Sequence, residues 1–175
     1  EKATAGRKAF ITNRVGDAGF LLGLMLLSAL LAAEGVIALD FETLRANAHL
    51  LNAYTILGLG APTLICLLLF FGATGKSAQF PLYVWLPDAM AGPTPASALI
   101  HAATMVAAGV FLVVRAFPIF EASEIALTVT LGVGLVTALG AGLLACVQHD
   151  IKKVLEYSTI RQLGFMFIAL GAGRY

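Results

Sequence analysis

Charged side chains are scarce in this sequence. Asp, Glu, Lys and Arg make up only 12% of its 175 residues, whereas soluble proteins carry about 25%. Hydrophobic residues make up 59%, and the mean hydropathy is +0.91. So few charges cannot cover a folded chain with a polar surface, which means that its solvent must be lipid. Because apolar runs recur along the whole chain, they leave no room for a separate soluble domain.

The usual signatures of cofactor and metal chemistry are lacking as well. There is no Gly-rich phosphate loop, no haem signature, no Cys or His cluster and no supported Ser/His/Asp grouping. Cys66 and Cys146 both lie in apolar runs, where a thiol behaves as a small hydrophobic group. The net charge of +1 says nothing about nucleic acid, but the sequence has no dense basic stripe that would bind it. We therefore expect no cofactor or metal in this chain, and only proton or cation handling as its chemistry.

The two ends suggest a piece of a longer protein. The sequence begins with Glu1 rather than Met, and its first residues are charged and do not form a signal peptide. It ends at Tyr175, directly after an apolar run. We interpret it as the middle of a longer chain.

Five apolar stretches are long enough to cross a bilayer, which takes about 20 residues. Basic residues precede the first and the fifth, while acidic residues dominate the connections after the first and the third. This charge pattern predicts that the first, third and fifth helices start on the cytoplasmic or matrix side. The sequence thus predicts an all-α, polytopic transmembrane bundle that forms one membrane unit over 1–175. Its predicted helices cover residues 10–33, 49–73, 95–117, 122–147 and 153–172.

The second helix is predicted to be broken. Two glycines, a lysine, a glutamine and Pro81 interrupt the apolar run after residue 71. Proline removes a backbone donor and clashes with the preceding turn, and in lipid the freed backbone groups need partners in the protein. We expect a kink after 49–73 and a continuing half-helix over 77–90.

Lys76 lies at this break and is the first candidate site residue. An ionisable group inside a membrane is costly and is a functional candidate by default. Lysine responds to burial by releasing its proton more easily, which suits a proton carrier. The alternative is a lysine that snorkels to an interface from a helix end.

His101, inside the third helix, is the second candidate, because imidazole titrates near neutral pH. The alternative is a core histidine bonded to nearby backbone. Lys152 is the third candidate, at the entry of a second polar path; alternatively, it forms an (i, i+4) ion pair with Glu156. Asp88 is interpreted as a solvated turn carboxylate. Asp150 is favoured by the dipole at the start of the fifth helix.

Arg161 lies inside the fifth helix, where an isolated charge would be costly. No acid is well placed for it on the same helix. We therefore expect it to reach water, an interface or a partner outside this chain.

Four blocks of the chain together resemble a known family. They are residues 13–17 (NRVGD), 75–81 (GKSAQFP), 85–105 (WLPDAMAGPTPASALIHAATM) and 150–159 (DIKKVLEYST). They closely resemble the largest antiporter-like membrane subunit (L-type or chain 5-type) of respiratory complex I, the NADH:quinone oxidoreductase. The resemblance covers nearly the whole chain without gaps.

The resemblance implies proton translocation across an energy-transducing membrane, coupled to electron transfer in other subunits. The chain would then be part of a translocating oxidoreductase without redox chemistry of its own. Lys76 matches the family's central proton carrier, His101 its connecting residue, and Lys152 a residue of the second half-channel. NADH, FMN, Fe–S clusters and quinone would reside in partner subunits. Other membrane subunits of complex I, the lipid bilayer and protons would be its partners, in a bacterial plasma membrane or the mitochondrial inner membrane.

A rival resemblance is to the large subunit of multisubunit sodium/proton antiporters, which shares most of these motifs. That family has lysine where this chain has Ala107, which favours the complex I subunit. Two positions depart from the complex I pattern: Arg161 replaces a small polar residue, and Phe165 replaces a frequent tyrosine.

Overall fold

The computed structural model describes residues 2–37, 40–56, 58–102 and 104–173. The terminal residues that suggested a piece of a longer protein, Glu1 and Tyr175, lie outside this part. Within it the chain forms eight α-helices, three 3₁₀ turns and one two-stranded hairpin. The α-helices are α1 (Lys2–Ala33), α2 (Phe41–Asn47), α3 (Ala61–Lys76), α4 (Thr94–Ala102), α5 (Met105–Arg115), α6 (Phe117–Glu121), α7 (Glu124–Cys146) and α8 (Ile151–Gly171). The 3₁₀ turns are Ala48–Ala53, Leu82–Trp85 and Pro87–Ala91, and the strands are β1 (Thr55–Ile56) and β2 (Leu59–Gly60).

The predicted all-α, polytopic membrane architecture is confirmed. In the described residues, three helical stretches are long and apolar enough to cross a membrane: Lys2–Ala33, Ser97–Arg115 and Glu124–Cys146. α3 is equally apolar but shorter. Large apolar side chains such as Phe10, Leu22 and Met25 lie exposed on the outside. Such a surface requires cover by lipid or by further protein.

The second predicted helix starts later than expected. Residues 49–60 form a 3₁₀ turn and the β1–β2 hairpin, so α3 begins at Ala61 instead of residue 49. Gly58 has φ +79°, a left-handed conformation that glycine adopts without a steric penalty, and it turns the chain between the strands. Pro62 stands in the first turn of α3, where its missing N–H leaves no bond unmade. Proline therefore starts this helix and does not interrupt it.

Residues 77–90 do not form the predicted half-helix. After α3 ends at Lys76, the chain makes the two 3₁₀ turns Leu82–Trp85 and Pro87–Ala91. Pro81 and Pro87 both lack the N–H that a continuing α-helix needs, which limits the segment to single turns. After the break, the chain thus continues in short 3₁₀ turns, and Trp85 and Leu86 are buried in the core.

The third predicted helix, over 95–117, is also interrupted. α4 ends at Ala102 and α5 begins at Met105, while Ala103 lies outside the described residues. Thr104 has non-helical dihedral angles, and its hydroxyl donates to the Leu99 carbonyl at 2.9 Å.

The other three predicted helices occur close to their expected bounds. α1 covers 10–33 and extends to Lys2, and α7 and α8 correspond to 122–147 and 153–172. Ser123 and Asp150 cap α7 and α8 by accepting the N–H groups of Ala126 and Lys152, respectively. The helix-start role predicted for Asp150 is thus confirmed. α8 falls outside the set of candidate spans because its polar residues lower its hydropathy.

Close backbone contacts hold the helices together in pairs. α7 and α8 form an antiparallel hairpin in which Gly134 and Gly164 face each other. A Cβ on Gly134 would lie 2.8 Å from the Gly164 carbonyl oxygen. Small residues permit this close approach, which is how helices pack in membranes.

The starts of α1 and α8 lie at the same end of the bundle. Lys8 of α1 forms a 2.7 Å ion pair with Asp88 in the turn Pro87–Ala91. Thr4, Asp88, Asp150 and Lys153 line one cavity of about 480 Å³ at this end. The first and fifth helices therefore start at the same end, as predicted. Asp88 is a solvated turn carboxylate, as expected: its side chain is 44% exposed, and it also pairs with Lys8.

Candidate functional site: a lysine at a helix break and a buried polar cavity

Lys76 is the last residue of α3 and lies where the helix breaks. The Ser77 N–H still donates to the Ala73 carbonyl at 2.8 Å, but Ala78 has φ +47° and turns the chain away. A non-glycine residue in this region is uncommon and is held in place only by its surroundings. The interruption predicted at Lys76 is therefore present, and the lysine projects from its edge.

The ammonium group of Lys76 pairs with Asp17 of α1. Lys76 Nζ lies 3.2 Å from Asp17 Oδ1, and Arg14 Nη1 lies 3.6 Å from the other carboxylate oxygen. The Asp17 and Lys76 side chains are 26% and 38% exposed, whereas Arg14 is 65% exposed. Asp17 thus bridges an inner lysine and an outer arginine.

This pair lies near the middle of a candidate membrane span. Asp17 stands halfway along α1, with roughly 22 Å of helix on either side at the usual rise per residue. Lys76 does lie at the end of its own helix, which is what snorkelling requires. Its partner, however, is far from both ends of α1. The ammonium group therefore lies beside the middle of α1.

Glycine contacts between α1 and α3 bring the two charges together. A Cβ on Gly16 would lie 3.2 Å from the Cα atom of Gly75 and 3.5 Å from the Gly72 carbonyl oxygen. Since the two backbones touch here, the neighbouring residues Asp17 and Lys76 stand side by side. Both line a cavity of about 320 Å³ that extends to Gly109 and Leu112 of α5.

His101 and Lys152 line a second cavity, between α4 and α8. It has a volume of about 200 Å³, and Ser97, Glu156 and Thr159 also line it. Both ring nitrogens of His101 are buried without a hydrogen-bond partner among the described residues. The alternative of a core histidine bonded to nearby backbone is therefore not what the structure contains.

Lys152 lies in the first turn of α8 and is exposed. The predicted ion pair between Lys152 and Glu156 is not formed: both carboxylate oxygens of Glu156 lack a partner in the described part of the chain. The backbone N–H of Lys152 binds the capping Asp150 at 3.0 Å. The side chain of Lys152 remains at the edge of the second cavity.

Two ionisable residues of these cavities, Asp17 and Glu156, are absent from the site predicted by sequence. The sequence feature that could have identified Asp17 is an acidic residue inside an apolar helix, within a block of the family resemblance. The signal for Glu156 was similar, but its spacing from Lys152 suggested a surface pair. Glu156 is in fact only 2% exposed.

The two cavities have no lining residue in common. Lys76 and His101 are thus placed on separate cavities and do not share one.

Buried polar groups follow Lys76 directly: the Ser77 hydroxyl donates to the Val106 carbonyl at 2.6 Å, and the Gln79 amide donates to the Ser77 carbonyl at 3.0 Å. The carbonyl oxygen of the Gln79 side chain is buried without a described partner.

Arg161 faces outward from α8. It is exposed, and its guanidinium carbon lies 6.0 Å from the centre of the Phe165 ring. The contact that the structure provides is therefore an aromatic ring one turn further along the same helix, at the outer limit of a cation–π interaction. The two residues that depart from the family pattern are in contact with each other.

The fold and the cavities define a polytopic helical membrane protein with a charged pair at a broken helix. The sequence model described as "NADH:quinone oxidoreductase/Mrp antiporter, TM" matches residues 1–175, and the chain belongs to this family. It is 53% identical to NADH-quinone oxidoreductase subunit L of Neisseria meningitidis serogroup B (strain MC58), over 98% of this chain and 26% of that protein. It is 50% identical to NAD(P)H-quinone oxidoreductase chain 5 of Synechocystis, over 99% of this chain and 25% of that protein.

A solved structure is also similar. The Mrp complex from Dietzia sp. DQ12-45-1b matches with a TM-score of 0.78 and 30% identity, over 97% of this chain and 18% of the matched chain. The chain thus spans about a quarter of the length of the curated relatives it matches. The chain is therefore a polytopic, helical part of an antiporter-like membrane subunit.

Proposed function

We propose that this chain is part of the proton-translocating, antiporter-like subunit of an NADH:quinone oxidoreductase. The observation that carries the proposal is the pair of Lys76 and Asp17, 3.2 Å apart at a helix break and beside the middle of a candidate span. Ionisable groups within membrane-spanning segments are costly and are functional candidates by default. The identity of about 50% to complex I subunits supports the assignment to this complex.

The pair provides a way to load and release a proton. With Asp17 close, the positive charge of Lys76 is stabilised and the lysine holds its proton. If Asp17 moves away or is neutralised, the stabilising interaction with the ammonium group is lost. Ser77 and Gln79, which continue directly from Lys76, supply polar groups for the next step. His101 and Lys152 serve as relay groups at the second cavity.

The redox cofactors belong elsewhere in this proposal. NADH, FMN, Fe–S clusters and quinone are bound by partner subunits, and this chain contributes a proton path among other membrane subunits. The membrane is the bacterial plasma membrane or the mitochondrial inner membrane.

A second candidate is the large subunit of a sodium/proton antiporter. The similarity to the Mrp complex over nearly the whole chain favours it. Against it stand the higher identity to complex I subunits and Ala107, where the antiporter pattern has lysine. Purification of the intact complex separates the two: Fe–S and flavin proteins accompany the chain only in the first case.

The test of the proposal is replacement of Lys76 in the intact complex. We expect Lys76→Ala to reduce the number of protons translocated per electron in reconstituted vesicles while the complex still assembles. Lys76→Arg keeps the charge but does not release its proton in proteins, so it should be equally impaired. Lys8→Ala is the matched control, because Lys8 is also paired with a carboxylate but lies at the bundle end. Normal proton-to-electron ratios in Lys76→Ala would refute the role.

A further inference from the structure

The most unusual group that the proposed path leaves unused is Glu156. It lies in the second turn of α8, its side chain is almost fully buried, and neither carboxylate oxygen has a hydrogen-bond partner in the described residues. A buried, unpaired carboxylate is so costly that such a group normally binds a proton or acquires a partner. The Glu156 carboxylate therefore requires either a bound proton or a positively charged partner nearby.

The cavity beside Glu156 contains a matching group. His101 lines the same cavity of about 200 Å³, and its two ring nitrogens are also buried without a described partner. His101 and Glu156 thus line one small cavity from α4 and α8, and the polar atoms of both side chains lack a described partner. A carboxyl group and an imidazole are the two side chains that exchange protons most readily near neutral pH.

The ionisable residues near Glu156 lie on only a few helices and turns. Lys152 and Lys153 lie on α8 itself, and Asp88 acts on Glu156 from the turn Pro87–Ala91. Tyr157 is its neighbour on α8. The packed helices α7 and α5 add nothing close, because α7 has no ionisable residue between its two ends and α5 has only Arg115 at its far end. Among the described residues that line the cavity, His101 is thus the one titratable group that comes from an element other than α8.

We propose that Glu156 and His101 form a proton-binding pair, which accepts a proton from the Lys152 end of the cavity. This inference rests on the proposed function and adds Glu156 to its path. In the transfer step the O–H bond of protonated Glu156 breaks and an N–H bond forms on the unprotonated ring nitrogen of His101. Glu156 becomes a carboxylate and His101 an imidazolium, so the total charge is conserved. The cavity has room for the water molecule that such a transfer uses when the groups are not in direct contact.

The pair is testable without measuring pumping. In the intact, reconstituted complex, infrared difference spectra taken across a pH titration detect the carbonyl stretch of a buried protonated carboxyl group. We expect such a band to be lost in Glu156→Gln, which keeps the shape but does not titrate, and to be kept in Glu156→Asp. Glu121→Gln, at an exposed acid, is the matched control and should keep the band.

The partner is tested by His101→Gln, which leaves the carboxyl group itself unchanged. Because interacting sites titrate as a pair, we expect the pH midpoint of the band to shift by about 1 unit or more. This readout also decides the matter if Glu156→Gln fails to assemble. A band that persists in Glu156→Gln, the absence of any band in the unmodified complex, or an unchanged midpoint in His101→Gln would overturn the pair.

The two proposals fail separately. If Lys76→Ala pumps normally while the Glu156 band and its His101 dependence persist, the proposed function is wrong and the proton-binding pair stands. If Lys76→Ala stops pumping and the band is insensitive to Glu156→Gln, the path exists without this pair.

Discussion

Replacing Asp17 by asparagine is the most direct way to test whether the charged pair controls the proton on Lys76. Asparagine has nearly the same shape as aspartate but carries no charge, so α1 and α3 should still pack. Two charges 3.2 Å apart attract by about 5 kcal/mol at an effective dielectric constant of about 20. Both side chains are partly exposed, so solvent reduces this value.

Ion pairs measured in other proteins give lower and upper limits for the free energy of the Asp17–Lys76 pair. Exposed pairs contribute about 0.2–1 kcal/mol, and breaking a buried pair costs about 3–5 kcal/mol. With side chains 26% and 38% exposed, the Asp17–Lys76 pair falls between them, at about 1–3 kcal/mol. Neutralising Asp17 removes this stabilisation from the ammonium group of Lys76.

The assay is proton translocation per electron in vesicles that contain the intact complex, together with a check of assembly. We expect Asp17→Asn to assemble and to lose most of its coupled pumping, and Asp17→Glu to retain part of it because the charge is kept. Arg14→Gln is the matched control: it removes the other cation on Asp17, which is 65% exposed and 3.6 Å away, and should have little effect. Normal pumping in Asp17→Asn, or equal damage from Arg14→Gln, would refute this reasoning.

The remaining predictions concern α8 and its contact with α7. Arg161→Ser should leave assembly intact and change pumping only modestly, since Arg161 is exposed and its guanidinium carbon lies 6.0 Å from the centre of the Phe165 ring. Arg161→Leu should behave similarly, and much greater damage by Leu would point to a buried acidic partner in the rest of the parent subunit. Gly134→Leu should prevent assembly, because even the Cβ of the new side chain would lie 2.8 Å from the Gly164 carbonyl oxygen. Gly132→Leu is the control and should assemble normally, because a Cβ at Gly132 meets nothing within 4 Å. The measurement is the amount of assembled complex in membranes, and equal amounts for the two variants would show that the helix contact tolerates side chains.

Local chemistry explains where sequence reasoning about the fold succeeded. The scarcity of charge required a lipid solvent, and the Gly-Lys-Gln-Pro interruption required a break after α3, which ends at Lys76. Asp150 had the side chain and position of a helix cap, and it caps α8. These features depend on neighbours in sequence, so the sequence alone was sufficient to predict them.

Predictions failed where two local solutions competed. Pro62 could interrupt a helix or begin one, and the hairpin turn at Gly58 decided that it begins α3. Residues 77–90 were apolar enough for a half-helix, but two prolines restricted them to 3₁₀ turns. Composition did not distinguish these outcomes, because the choice depends on which backbone hydrogen bonds the rest of the bundle leaves available.

The sequence by itself determined that this is a membrane segment of the antiporter-like family, with a lysine at a helix break. Only the tertiary structure decided which charges meet. Asp17 reaches Lys76 because glycines let α1 and α3 touch. Glu156 is buried beside the cavity that His101 also lines, and it forms no bond with Lys152. Electrostatic partners that are far apart in sequence are set by how helices cross. That crossing is a property of the packed bundle, and no spacing within a single helix encodes it.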